Sequence, residues 1–261
     1  NWTPFMPQGF AGVGAAAAIV FFAYIGFDAI STTAEEAKNP QRDLPIGIIA
    51  SLSICTVLYI AVAAVLTGLI PSSKIDIHAP VAEALSVVGF KWGAAIVAIG
   101  AVAGITSVLV VMMLGQIRVF FAMSRDHLLS PWLSTVHPRY GTPHYATILT
   151  GIAVATLAAL IPIGDAADMT NIGTLFAFVL VCIGVVILRY TKPNQPRPFR
   201  LPFMPVVPIL GMLACLGLMS FLPWVTWIRF AVWSAIGIVV YMGYGLRHSK
   251  LAGPHLPKRS L

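Results

Sequence analysis

Seven apolar stretches, joined by short loops that hold most of the charged residues, dominate this sequence. A helix that crosses the hydrocarbon core of a bilayer needs about 20 predominantly apolar residues, and seven such runs joined by loops this short do not fit a soluble fold. We therefore predict an all-α membrane protein, with residues 1–261 forming a single transmembrane domain. The predicted spans are Phe10–Ala34, Ile46–Ile70, Trp92–Ile117, Pro143–Ile163, Met169–Leu188, Leu201–Ile228 and Phe230–Leu246.

Composition excludes several other classes of protein. Hydrophobic residues make up 58% of the chain and charged residues 10%, against roughly 45–50% and about 25% in soluble domains. The net charge of +7 does not indicate nucleic-acid binding, because the basic residues are scattered among separate loops. The three cysteines lie inside apolar runs without paired spacing, and the six histidines show no ligand-like pairing. Neither set predicts a metal site or a disulfide framework.

The basic residues predict how the chain is oriented across the membrane. With residue 1 outside, thirteen Lys and Arg residues fall on the cytoplasmic side, and three, Lys74, Lys91 and Arg229, fall outside. Cytoplasmic loops of membrane proteins carry an excess of Lys and Arg. We therefore expect the N-terminus outside and the C-terminus in the cytoplasm. We also expect Ala79–Val88, in an outer loop, to form a short surface helix.

The first predicted span contains two residues that are unfavourable in a transmembrane helix. Gly26 lowers helix stability by about 1 kcal/mol relative to Ala, and Asp28 places a carboxylate at membrane depth, which costs about 2.5–3.5 kcal/mol. One interpretation is a helix broken near Gly26, which leaves backbone carbonyls free to bind a substrate or ion. The alternative is a continuous helix in which Asp28 is hydrogen-bonded to Ser31 or Thr32. These residues alone leave both interpretations open.

A charged loop follows this span and begins with Glu35 and Glu36. Paired carboxylates can act as a general acid and a general base. Here Lys38 and Arg42 lie close by in the sequence, and exposed ion pairs of this kind contribute little. The pattern therefore favours a solvated cytoplasmic turn.

Four motifs point to a known family. They are FFAYIGFD at residues 21–28 with EEAKNPQRDLP at 35–45, GQIRVFFAMSRD at 115–126, PRYGTP at 138–143 and PRPFR at 196–200. In this order they resemble amino-acid permeases of the amino acid–polyamine–organocation superfamily, and most of all the bacterial relatives of the cationic amino-acid transporters. The resemblance covers essentially the whole chain.

The resemblance implies an architecture larger than this chain. Family members have twelve or more helices, ten of which form two inverted five-helix repeats in a leucine-transporter-like bundle. The seven spans then correspond to helices six to twelve. We therefore expect a partial bundle whose first helix is discontinuous, with the missing N-terminal helices of the same permease as its partner.

The resemblance also implies a binding site at the break in the first span. In relatives, unwound parts of helices one and six hold the carboxylate and the amine of the substrate. By position, the carbonyls of Phe22, Ala23 and Ile25 would receive the amino group, with the Phe22 ring covering the site. Gly26 would lie beside the amine, and Asp28 would act in gating or coupling.

Two hydroxyl residues and two methionines of the third span are further candidates. Thr106 and Ser107 lie where sodium-coupled relatives use hydroxyls as ion ligands, although such hydroxyls also bond back to their own helix. Met112 and Met113 can line a pocket, although packing against lipid or other helices is favoured. We expect a coupling ion, either a proton or sodium, and no cofactor.

These features predict a secondary active transporter that moves amino acids across the cytoplasmic membrane by alternating access. Cationic substrates follow from the resemblance only, and neutral ones remain the alternative. A seven-helix receptor without transport activity is the competing function, because seven spans with an outer N-terminus match that topology. An enzyme has no support, since the sequence has no clustered nucleophile, base or metal set.

Overall fold

The computed structural model describes residues 3, 5–32, 37–71, 75, 79–197, 199, 201 and 203–249 of the chain. Every regular element among these residues is helical, and none of them forms a strand. The predicted all-α fold class is therefore confirmed. Glu35, Glu36, Asn1 and Leu261 lie outside the described residues, so the cytoplasmic turn at Glu35 stays a prediction.

Ten α-helices follow one another along the described residues, with two short 3₁₀ helices and one π-helical turn. The α-helices are α1 (Gly9–Val20), α2 (Ala29–Thr32), α3 (Pro40–Leu69), α4 (Pro80–Val87), α5 (Lys91–Arg125), α6 (His144–Leu160), α7 (Ile163–Thr191), α8 (Val206–Ser220), α9 (Trp224–Val240) and α10 (Leu246–His248). The 3₁₀ helices are Phe21–Tyr24 and Pro131–Ser134, and the π-helical turn is Tyr241–Gly245. The short helix expected over Ala79–Val88 is α4.

Prolines fix the start of most of the long helices. Pro40 and Pro80 are the first residues of α3 and α4, where a fixed φ suits the helix and the missing N–H would have no partner. Four other helices begin directly after a proline. They are α6, α7, α8 and α9, preceded by Pro143, Pro162, Pro205 and Pro223.

Five helical segments are long and apolar enough to cross a membrane, and two further helices are apolar but shorter. The long segments are Gly9–Thr32, Pro40–Leu69, Lys91–Arg125, Ile163–Thr191 and Trp224–His248. The shorter helices are α6 and α8. These seven segments follow the order of the predicted spans.

The boundary between the last two of these segments differs from the predicted one. The predicted sixth span, Leu201–Ile228, is divided, because α8 ends at Ser220 and α9 begins at Trp224. The turn between them contains Phe221, Leu222 and Pro223. Two of these residues are large and apolar, so hydropathy does not show the interruption. This turn replaces the predicted boundary at Arg229.

The chain divides into two compact units, one comprising Asn1–Ala16 and Ala23–Met112 and the other Ala17–Phe22 and Met113–Leu261. In the first unit, α2 and α4 each pack against α3. In the second unit, α7 packs against α8 and α9. The core of the second unit includes a buried cluster made of Ala18, Ile172, Leu175, Met219 and Leu222.

An ion pair joins the first turn of α7 to the second turn of α9 in the second unit. Nη1 of Arg229 lies 2.7 Å from Oδ1 of Asp165, and Nη2 donates to Oδ2 at 3.2 Å. The starts of both helices therefore lie at the same end of this unit. Because α7 and α9 also pack against each other, they run in the same direction, as alternating spans require.

Candidate functional site

The first membrane segment is interrupted between Val20 and Ala29. After α1 the chain forms a 3₁₀ turn, Phe21–Tyr24, then leaves helical geometry over residues 25–28 before α2 begins. Gly26 has φ +130°, a conformation that side-chain-bearing residues rarely adopt. The structure therefore confirms the discontinuous first helix, and the alternative of a continuous helix is wrong.

The side chain of Asp28 stabilises the interruption by accepting a hydrogen bond from the backbone two residues earlier. Its Oδ1 accepts a hydrogen bond from the backbone N–H of Gly26 at 3.1 Å. The Ser31 hydroxyl donates to the carbonyl oxygen of Asp28 at 2.6 Å, not to its carboxylate. The Thr32 hydroxyl donates to the Ala29 carbonyl at 2.7 Å. The carboxylate thus satisfies an N–H group that the broken helix leaves without a helical partner.

Tyr59, from the middle of α3, reaches the interrupted segment. Its hydroxyl donates a hydrogen bond to the carbonyl oxygen of Ala23 at 2.9 Å. Its ring meets the ring of Tyr24 edge to face, with centroids 5.1 Å apart and an interplanar angle of 81°. Edge-to-face pairs are a favoured aromatic geometry, so the ring contact and the hydrogen bond together fix the direction of the phenol.

A cavity of about 330 Å³ opens beside the interruption, within the first unit. This volume lies within the range of small-molecule sites. The interrupted segment contributes Ala23, Tyr24, Ile25, Gly26, Phe27 and Ile30; α3 contributes Ser51, Leu52, Cys55 and Tyr59; α5 contributes Ser107, Val108, Val111 and Met112. None of these described lining residues carries a formal charge. The wall is therefore mostly apolar, with a few uncharged polar groups.

The cavity brings together four of the seven residues to which the sequence analysis gave a binding, gating or coupling role. Ala23, Ile25, Gly26 and Ser107 are part of its lining. The other three, Phe22, Asp28 and Thr106, are not among the lining residues.

Each of these three residues has a different environment. Phe22 is 45% exposed and belongs to the second unit, whereas Asp28 accepts from the Gly26 N–H. The Thr106 hydroxyl donates to the Val102 carbonyl at 2.8 Å, which is the helix-internal bond that membrane hydroxyls commonly form.

Sequence reasoning missed Tyr59 and favoured packing for Met112. Tyr59 lies in a long apolar run, where only its phenol distinguishes it, and a hydroxyl in a membrane segment needs a hydrogen-bond partner. Met112 lines the cavity, and its Cε would lie 3.0 Å from a Cβ added at Gly26. The sequence signal that could have identified Tyr59 is a tyrosine hydroxyl in the middle of an apolar span.

The end of α1 is held separately, within the second unit. Asn171 of α7, which is fully buried, donates from Nδ2 to the Ala18 carbonyl at 3.1 Å. The other amide atom, Oδ1, is buried without a partner among the described residues. This bond satisfies one of the carbonyls that the end of α1 leaves without a helical partner.

Comparison with known proteins gives a consistent family. Residues 1–246 match the amino acid permease family. The chain is 52% identical over 252 residues to the branched-chain amino acid permease BcaP of Bacillus subtilis (strain 168), an alignment that covers 96% of this chain and 54% of that relative. It is 49% identical over 251 residues to the methylthioribose transporter of the same organism, with the same shares covered.

A plant relative matches over a shorter length. The vacuolar cationic amino acid transporter 2 of Arabidopsis thaliana is 44% identical over 200 residues, which are 76% of this chain and 32% of that relative. The chain thus spans about half the length of the bacterial relatives it matches. With its apolar helices, these similarities identify a multi-pass membrane protein and favour transport over the receptor alternative.

Proposed function

Because this chain belongs to the amino acid permease family, we propose that it takes part in moving amino acids across the cell membrane by alternating access. The observation that carries the proposal is the interrupted first helix with a cavity beside it. Transporters commonly place substrate sites at discontinuous helices, where backbone groups are free to bind charged parts of the substrate.

The proposed substrate-binding groups are backbone atoms of the interrupted segment. The α-ammonium group lies against the carbonyls of Ala23 and Ile25, and Gly26 leaves room beside them. Support comes from the lining of the cavity, which includes all three residues. Phe22 lies in the second unit, and its covering role stays an expectation from the family motif.

Asp28, Thr106 and Ser107 receive different roles. Asp28 acts indirectly, because its carboxylate caps the Gly26 N–H and so maintains the interruption. Ser107 is the better candidate for binding the coupling ion, proton or sodium, since it faces the cavity. The Thr106 hydroxyl is engaged by the Val102 carbonyl.

The proposed substrates are neutral aliphatic amino acids, with leucine as the reference. A cationic side chain inside a protein needs a charged or hydrogen-bonding partner, and the described lining residues include no Asp or Glu. Ile30, Leu52, Val108 and Val111 instead offer an apolar wall. The relative named for branched-chain amino acids, at 52% identity, supports this assignment over a cationic substrate.

The proposal is tested by uptake into cells or proteoliposomes that contain this chain together with the partner helices that the family resemblance implies. Radiolabelled leucine is supplied under an inward proton or sodium gradient, with arginine and methylthioribose as competitors. We expect saturable leucine uptake that leucine, isoleucine and valine inhibit and a tenfold excess of arginine does not. Dissipating each gradient separately identifies the coupling ion.

Two other outcomes would change the assignment. Strong inhibition by arginine would restore a cationic substrate, and inhibition by methylthioribose alone would indicate a sugar rather than an amino acid. Absence of any gradient-driven flux, with ligand binding retained, would contradict transport itself.

A further inference from the structure

The hydrogen bond between Tyr59 and Ala23 defines the polarity of the cavity at the interrupted helix. A carbonyl oxygen only accepts hydrogen bonds, whereas a phenol both donates one and accepts others. The proton of the Tyr59 hydroxyl is therefore engaged by the Ala23 carbonyl, 2.9 Å away. The phenol oxygen can then offer the cavity only its lone pairs.

The edge-to-face contact with Tyr24 prevents this arrangement from turning freely. The two rings lie 5.1 Å apart at 81°, and both line the cavity together with Ala23. Tyr59 is anchored at its ring by one contact and at its hydroxyl by the other. Its oxygen consequently keeps a fixed position beside the Ala23 carbonyl oxygen.

Two neighbouring oxygen acceptors match one particular ligand group. An alkylammonium carries three N–H donors and no acceptor, so it can donate to both oxygens at once. A carboxylate carries acceptors only, and would meet two oxygens without a proton to offer. Donation to the carbonyl also polarises the phenol oxygen and strengthens it as an acceptor.

We infer that Tyr59 is a direct ligand of the substrate's ammonium group and orients the substrate with its amine toward the interrupted helix. The inference rests on the proposed function and adds a side-chain ligand from α3 to the backbone carbonyls assigned there. It also explains why a tyrosine, rather than an aliphatic residue, occupies this position in an apolar helix.

The test compares wild type with Tyr59→Phe, which keeps the ring contact with Tyr24 and removes only the oxygen. The Kd of purified protein is measured for L-leucine and for 4-methylpentanoate, which has the same carbon skeleton and carboxylate but no amine. Tyr190→Phe is the matched control, because Tyr190 lies in α7, is 68% exposed and is not among the residues that line the cavity.

We expect Tyr59→Phe to weaken leucine binding about tenfold, the scale of one hydrogen bond to a charged group. Binding of 4-methylpentanoate should stay unchanged, and Tyr190→Phe should bind leucine like wild type. The melting temperature without ligand should also stay unchanged, because Ala23 is exposed and solvent can replace the lost donor at its carbonyl. An equal loss for both ligands, or a lowered melting temperature that accounts for the loss, would show a purely structural role and overturn the inference.

The remaining outcomes are also decisive. If 4-methylpentanoate binds too weakly to measure, the leucine Kd and the melting temperature of Tyr59→Phe test the inference. An unchanged leucine Kd overturns the inference and leaves the proposed function standing. If wild type binds neither leucine nor any other amino acid, the proposed function fails and the inference fails with it.

Discussion

At the scale of single residues, Gly26 shows how backbone conformation and binding are linked. Its φ of +130° is accessible to glycine and costs other residues about 1–3 kcal/mol. A methyl group there would also meet Cε of Met112 at 3.0 Å, although that flexible side-chain end can move. We expect Gly26→Ala to reach the membrane normally and to weaken leucine binding by about 1–3 kcal/mol, measured by titration of the purified protein.

Gly104→Ala provides the matched control for this substitution. Gly104 lies in α5, in the same unit, and a Cβ added there has no atom within 4 Å among the described residues. Alanine is the better helix former by about 1 kcal/mol, so this variant should keep its leucine affinity and melt at the same or a higher temperature. Gly26→Ala behaving in the same way would mean that the assigned binding groups are wrong.

At the scale of elements, the end of α1 depends on one buried amide. Asn171 donates to the Ala18 carbonyl, and Ala18 itself is 1% exposed. Replacing the amide by an apolar group leaves that carbonyl without its partner, at a cost of about 1–3 kcal/mol. We expect Asn171→Leu to lower the melting temperature of the purified protein in detergent accordingly.

Thr150→Val in α6 is the control for this loss. Thr150 is also buried, at 3% exposure, but its hydroxyl has no hydrogen-bond partner among the described residues. Removing an unsatisfied polar group from a buried site is neutral or stabilising. An equal destabilisation by both variants would assign the effect of Asn171→Leu to altered packing rather than to the lost hydrogen bond.

How far the sequence predicts these elements depends on the kind of signal. Gly26 and Asp28 gave the interruption as one of two open interpretations, because a helix former is absent at one position and a charge stands at membrane depth at the other. The family resemblance was needed to favour the discontinuous helix. Hydropathy missed the turn at Phe221, since an apolar turn resembles an apolar helix. The contact between Tyr59 and Ala23 joins residues 36 apart, and only the packing of α3 beside the interrupted helix determines it.

At the scale of the whole molecule, the remaining question is which membrane face each helix end occupies. The ion pair of Asp165 and Arg229 shows that α7 and α9 run in the same direction, which supports alternating spans. A shared direction is equally compatible with either orientation of the chain across the membrane. The 35 residues of α5 extend roughly 52 Å, well beyond a hydrocarbon core of about 30 Å. Its last part carries Arg118 and Arg125, which places two positive charges outside the core at that end.

Charge asymmetry predicts the orientation. Thirteen basic residues against three predict that the loop after α7 lies in the cytoplasm, because Lys and Arg are retained on that side. We expect Gln195→Cys, an exposed position in that loop, to react with an impermeant thiol reagent only after cells are permeabilised. Val88→Cys, 49% exposed at the end of α4, should react in intact cells.

The unmutated protein supplies the background labelling, since Cys55, Cys182 and Cys215 all lie within helices. Labelling of Gln195→Cys but not Val88→Cys in intact cells would require the opposite orientation, in which the basic loops face outward against the charge rule.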